Sequence, residues 1–136
     1  MPVSALDHFT IRCVPADLPP LLDFYTQALG LVPGERPVMP FPGYWLYSGS
    51  RAVVHLFANQ AERMAGSTGS VDHISFKAHD LLGTQAGLRN KGIAFEEMAL
   101  PDHELHQIFL RDPFGLKVEL TFYLAEDRTA AHDQPA

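Results

Sequence analysis

His8 and His73 sit inside two copies of one six-residue pattern, Asp7-His8-Phe9-Thr10-Ile11-Arg12 and Asp72-His73-Ile74-Ser75-Phe76-Lys77. A second pair follows at nearly the same offset: His55 in Val54-His55-Leu56 and Glu119 in Val118-Glu119-Leu120. The separations are 65 residues (73 − 8) and 64 (119 − 55), which marks an internal repeat. Imidazoles and a carboxylate, without thiolate, suit Mn, Fe, Co, Ni or Zn, and such sites leave positions open for water and substrate. A lone histidine on a strand is usually an ordinary half-buried side chain; four metal-capable residues in register across a repeat are harder to dismiss. His8, His73 and Glu119 make a two-histidine, one-carboxylate set. His55 reads as a fourth ligand, a base or a substrate contact.

The elements that must position these side chains are strands. Alternation sends His8, Thr10 and Arg12 to one face and Phe9, Ile11 and Cys13 to the other, and His73, Ser75 and Lys77 oppose Ile74 and Phe76 in the same way. His55 and Glu119 each point away from apolar neighbours, so all four fit a polar face. After the first strand, Asp17 is an N-cap candidate for a helix opened by Pro19 and Pro20, carrying Leu18, Leu22, Tyr25 and Leu29 at helical spacing and stopped by Gly30. The proline-rich segment 32–43 reads as a loop with a short strand inside, followed by strands over 44–47 and 52–57.

The order β-α-β-β-β then repeats. Residues 58–70 are small and polar, as in a connection between modules. Asp80 caps a helix ending at Gly92, with Gly83 and Gly87 costing roughly 1 kcal/mol each relative to alanine. Strands are expected over 93–98, 106–111 and 116–123, with a turn at Asp112-Pro113-Phe114-Gly115. His103 and His106 read as a solvated loop and strand start.

At 136 residues, 46% hydrophobic and 19% charged, the chain fits one globular domain. A formal charge of −6 argues against nucleic acid or an anionic membrane as partner. One cysteine, Cys13, allows no internal disulfide, and with neither a signal region nor a membrane-spanning apolar run the expected location is cytoplasmic.

The sequence resembles the glyoxalase, bleomycin-resistance and dioxygenase superfamily, the vicinal oxygen chelate proteins. The resemblance spans about residues 4–123. It is carried by Asp7-His8-Phe9-Thr10, Asp23-Phe24-Tyr25 through Leu29-Gly30, Val71-Asp72-His73, and Arg111-Asp112-Pro113-Phe114-Gly115 followed by Val118-Glu119-Leu120. It implies an α+β fold: a single domain over 1–136 with two tandem βαβββ modules, about 4–58 and 71–123, and a flexible tail at 125–136. The modules would form a cupped, strongly curved mixed sheet with helices on the outer face.

By position, the resemblance implies one divalent metal ion per chain (Ni, Zn, Co, Mn or Fe) held by His8, His73 and Glu119. His55 stands where glyoxalase I has a fourth ligand, usually a carboxylate or glutamine, so a histidine there is a departure. The implied activity is a metal-dependent lyase or isomerase that chelates adjacent oxygens of a small carbonyl substrate and stabilises an enediolate. Glu119 would be ligand and catalytic base, and His55 ligand or proton carrier. The alternatives are an Fe(II) extradiol-type ring-cleaving dioxygenase, although Phe109 takes the place of its tyrosine, and a non-catalytic drug-binding protein, although those lack the ligand set. A homodimer is expected from family habit and from sheet edges that need cover.

Overall fold

The computed structural model describes residues 2–63 and 69–127, which divide into two compact units, Met1–Gly66 and Ser67–Ala136. The first unit runs β1 (Phe9–Arg12), α1 (Leu18–Gln27), β2 (Val32–Gly34), β3 (Gly43–Ser48) and β4 (Arg51–Phe57). Its sheet order is β1-β4-β3-β2, with β1 parallel to β4 and the other pairs antiparallel. A parallel pair needs a crossover, and α1 opens the connection from β1.

The second unit repeats this arrangement. It runs β5 (His73–Ala78), α2 (Leu81–Asn90), β6 (Glu96–Leu100), β7 (Leu105–Arg111) and β8 (Lys117–Tyr123), in sheet order β5-β8-β7-β6. The fold is therefore two tandem βαβββ modules, each an open four-stranded mixed sheet with one helix.

Each module has its own apolar core. In the first, Leu18, Leu21 and Tyr25 of α1, with Ala28 just beyond it, are buried, as are Leu46, Val54 and Leu56 of the sheet. The deepest helix stripe thus runs through Leu21 and Ala28, with the expected Leu22 and Leu29 only half-buried. In the second module Leu88, Ile108, Leu110, Val118, Leu120 and Phe122 are buried. No helix among the described residues is long and apolar enough to cross a membrane.

Several local expectations change in detail. Asp17 occupies the N-cap position of α1, but its side chain makes no capping bond. Instead the buried carboxylate accepts a bidentate pair from Arg63, Nε to Oδ2 at 2.8 Å and Nη2 to Oδ1 at 2.7 Å. Those bonds hold Asp17 below its ordinary pKa. The stabilisation is present above the unfolded carboxyl value of about 4 and is lost as pH falls through the lower folded value. Arg63→Ala should therefore lower stability at pH 7 and move acid unfolding to higher pH, with the gap from the parent closing in strong acid. Urea titrations at several pH values check this, and a gap independent of pH would refute it.

In the second module Asp80 does cap α2, its Oδ1 accepting from Gly83 N at 3.1 Å. A Cβ on Gly83 would lie 2.1 Å from Asp80 Oδ2, so this glycine makes room for the cap. The β6 strand begins three residues later than expected because 92–93 still close the helix: Gly92 is left-handed (φ +68°) and Ile93 N donates to Leu88 O at 3.0 Å. His106 lies in β7, in keeping with the strand expected from 106, but it is not solvated. Its side chain is only 15% exposed and faces Glu97 of β6 at 3.6 Å. The expected flexible tail starts inside an ordered helical turn at 124–127. Asp127 there accepts from the backbone N–H groups of Asp80 and Leu81 at 2.6 and 2.9 Å, where α2 presents unpaired donors. Residues 128–136 lie outside the described residues.

Candidate functional site

His8, just before β1, and His73, at the start of β5, are held by the same device. In each, Nδ1 bonds the carboxylate of the preceding aspartate, at 2.7 Å for Asp7 and 2.8 Å for Asp72. An ionised carboxylate only accepts, so Nδ1 carries a proton, and in the neutral ring Nε2 is then the lone-pair nitrogen. This is how metal-ligating histidines are fixed in tautomer and orientation by an outer carboxylate. The hydrogen bond to histidine is also the main reason Asp7 and Asp72 lie below their ordinary pKa, with Lys117 adding to the effect on Asp72. That second bond, Lys117 Nζ to Asp72 Oδ2 at 3.3 Å, steadies the aspartate.

Glu119, on β8, is buried, with 6% exposure. Its Oε1 lies 3.7 Å from His73 Nε2. That is too long for a hydrogen bond, and the neutral ring with its proton on Nδ1 would point a lone pair at a carboxylate oxygen. Such a pair is stabilised by a cation shared between the two atoms, and a divalent ion about 2 Å from each fits the donor types. Gln107 Nε2 donates to Oε1 at 2.9 Å and the Thr121 hydroxyl donates to Oε2 at 2.7 Å. A carboxylate has about four lone-pair directions, so these bonds leave capacity for a metal.

His55, on β4, occupies a different environment. It is buried, with 5% exposure. The imidazole lies between two parallel rings, His8 at 3.8 Å and 13° and Trp45 at 4.0 Å and 10°. Its Nε2 donates to the Ala52 carbonyl at 3.2 Å, which leaves Nδ1 as the acceptor. Burial, then the neighbouring His8, push its pKa below the usual histidine range, against smaller opposing effects of Ala52 and Asp7. Lone pairs lie in the ring plane, and two planes only 13° apart with centroids 3.8 Å apart do not converge on a point about 2 Å from both nitrogens. As stacked, His8 and His55 cannot both ligate one ion.

Among the described residues, then, the first unit pairs His8 with His55 and the second pairs His73 with Glu119. No three or more His, Cys, Asp or Glu side chains among the described residues gather into a metal-ready group. Sequence reasoning missed Gln107 and Thr121 beside Glu119, and Trp45 beside His55. Thr121 was within reach, since alternation puts it on the face of Glu119; Gln107 and Trp45 needed the strand register, Gln107↔Thr121 and Trp45↔His55.

The module architecture is found in solved structures of several kinds. A lactoylglutathione lyase from Agrobacterium tumefaciens is similar at 21% identity and a TM-score of 0.64, covering 92% of this chain and 98% of its own. A trypanothione-dependent glyoxalase I from Leishmania major is similar at 21% identity and a TM-score of 0.68, with 96% and 95% covered. An antibiotic-binding protein from Streptomyces sp. CB03234 is similar at 17% identity and a TM-score of 0.65, with 90% and 98% covered. At these identities the likeness is one of fold. No curated protein matches the sequence closely enough to count as a relative. The family model for the Glyoxalase/Bleomycin resistance protein/Dioxygenase superfamily matches residues 5–120. Sequence and fold agree, and the chain belongs to that superfamily.

Proposed function

We propose that the chain is a divalent-metal-dependent, glyoxalase-like lyase or isomerase acting on a small carbonyl substrate with adjacent oxygens, and that His8, His73 and Glu119 are its metal ligands. The observation that carries this reading is the repeated Asp-His pair, which turns the lone-pair Nε2 of His73 toward Glu119 at 3.7 Å. The bound metal would supply Lewis-acid polarisation of the two oxygens, the chemistry that stabilises an enediolate.

The chain's own residues supply orientation and proton handling. Asp7 and Asp72 hold the imidazoles, and Glu119 is ligand and candidate base. His55, kept neutral by burial, is the proton carrier, with Nδ1 free to accept. The dioxygenase reading gains nothing here. Phe109 pairs in register with Glu119 and lies under the Lys117 ammonium at 5.1 Å, so the position offers no hydroxyl. A purely binding role would leave the carboxylate-backed histidines unused.

The single cysteine suits the cytoplasm. The edge strands β2 and β6, each with one neighbour in its own sheet, suit a homodimer, which light scattering would detect. The decisive experiment is metal reconstitution. The purified protein should take up one of Ni, Zn, Co, Mn or Fe stoichiometrically, and isomerisation of a hemithioacetal should be lost on chelation and restored by the ion. A protein that takes up none of the five would end the reading.

A further inference from the structure

The polar face of the second module carries a hydrogen-bonded chain whose direction can be worked out. Thr121 has one hydroxyl hydrogen, and it goes to Glu119 Oε2 at 2.7 Å, because a carboxylate only accepts. The 2.7 Å contact between Ser75 Oγ and Thr121 Oγ1 must then be donated by Ser75. Gln107 Nε2 donates to the other carboxylate oxygen at 2.9 Å. Both oxygens of Glu119 are thus held by donors from one face, Thr121 on β8 itself and Gln107 on the flanking β7, while Ser75 on β5, the other flanking strand, backs Thr121.

The first module provides a control. Thr121 corresponds through the 64-residue offset to Phe57, and Gln107, paired with Thr121, corresponds to Gly43, paired with Phe57. Around the neutral ring of His55 the counterparts of Thr121 and Gln107 therefore offer no side-chain donor, although Thr10, the counterpart of Ser75, keeps a hydroxyl. These two donors appear only where the buried side chain is a carboxylate, which would otherwise be desolvated without compensation.

We propose that Thr121 and Gln107, with Ser75 behind Thr121, are positioning residues that fix the Glu119 carboxylate for metal binding. The inference rests on Glu119 being a ligand, as proposed above. With both oxygens pinned, the remaining lone pairs keep one direction and the ion meets a preformed ligand. Without the pins the carboxylate must be ordered on binding, at a cost in affinity. Loss of such an outer partner weakens metal binding by roughly 10–100-fold.

Thr121→Val keeps the shape and removes the hydroxyl, and Thr121→Ser keeps the hydroxyl. Calorimetric titration of the metal-free proteins should show Thr121→Val weaker by about 10–100-fold, Thr121→Ser close to the parent, and Ser75→Ala between them. Gln107→Met tests the other oxygen should Thr121→Val fold poorly. Crystal structures of the metal-free variants give a second readout, in which Thr121→Val should show the Glu119 carboxylate turned or spread over several orientations. Parent-like affinity in both Thr121→Val and Gln107→Met would overturn the inference. If Glu119→Ala keeps full metal binding, the ligand reading itself fails. The metal-free structures then decide: a reoriented carboxylate supports positioning by Thr121 and Gln107, and an unmoved one overturns it.

Discussion

His73→Ala is expected to abolish stoichiometric metal binding while the second module stays folded. The side chain is 37% exposed at the first residue of β5, so its removal opens no internal cavity. Substitutions at such positions change stability by about 0.5 kcal/mol or less. The loss to the metal is of another order, since the ring supplies a direct bond. Loss of an outer partner alone costs roughly 10–100-fold in affinity, and removal of a ligand should exceed that. Asp72→Asn gives the graded control: an amide oxygen still accepts from Nδ1–H, but the negative charge that makes Nε2 a better donor to the ion is gone. The expected order of affinity is parent, Asp72→Asn, then His73→Ala with none measurable, and circular dichroism should be unchanged throughout. Elemental analysis that finds full metal in both His73→Ala and Glu119→Ala would remove the site altogether.

Much of the architecture was legible because the repeat is written in residue types. The Asp-His pattern at Asp7-His8 and Asp72-His73 marked the first strand of each module, and alternation placed His73, Ser75 and Glu119 on polar faces. What could not be read depends on register or on distant partners. The Arg63 side chain reaches Asp17 across 46 residues, so a position that reads as a helix cap is an ion-pair anchor instead. His103 and His106 read as a solvated loop and strand start, yet strand pairing with Ala99 and Phe122 draws His106 in. The rings around His55 were legible one by one, but only the pairing of β3 with β4 sets Trp45 against it.

That register also changes how the two halves of the repeat compare. A buried carboxylate at Glu119 is compensated by Gln107 and Thr121. A buried imidazole at His55 is covered by rings and needs one backbone carbonyl. The pseudo-equivalent positions thus have different surroundings: Glu119 is met by two side-chain donors, whereas burial favours the neutral form of His55. The offset alone suggested that His55 and Glu119 do the same job. Their surroundings argue for ligand at Glu119 and proton carrier at His55.

His55→Phe separates these roles. A phenyl ring keeps the stack between His8 and Trp45 and removes both nitrogens, at a cost of about 1 kcal/mol for the hydrogen bond lost to Ala52 O. Metal content should stay at the parent level, because the parallel rings of His8 and His55 do not converge on one ion. Turnover of a hemithioacetal should fall by roughly 10²–10⁴-fold, the usual contribution of a positioned proton-transfer group, with little change in KM. The pH behaviour gives an independent check. His55 has its pKa lowered by burial and by His8, so its contribution to stability is complete above the unfolded histidine value of about 6.5 and is lost as pH falls through the lower folded value. The parent should therefore lose more stability than His55→Phe between neutral and mildly acidic pH, as read by urea unfolding. The acid limb of the parent's activity, set below the ordinary histidine range, should be absent from any residual activity of the variant. Loss of metal in His55→Phe would return His55 to the ligand set, and full activity with an unchanged acid limb would leave it a packing residue.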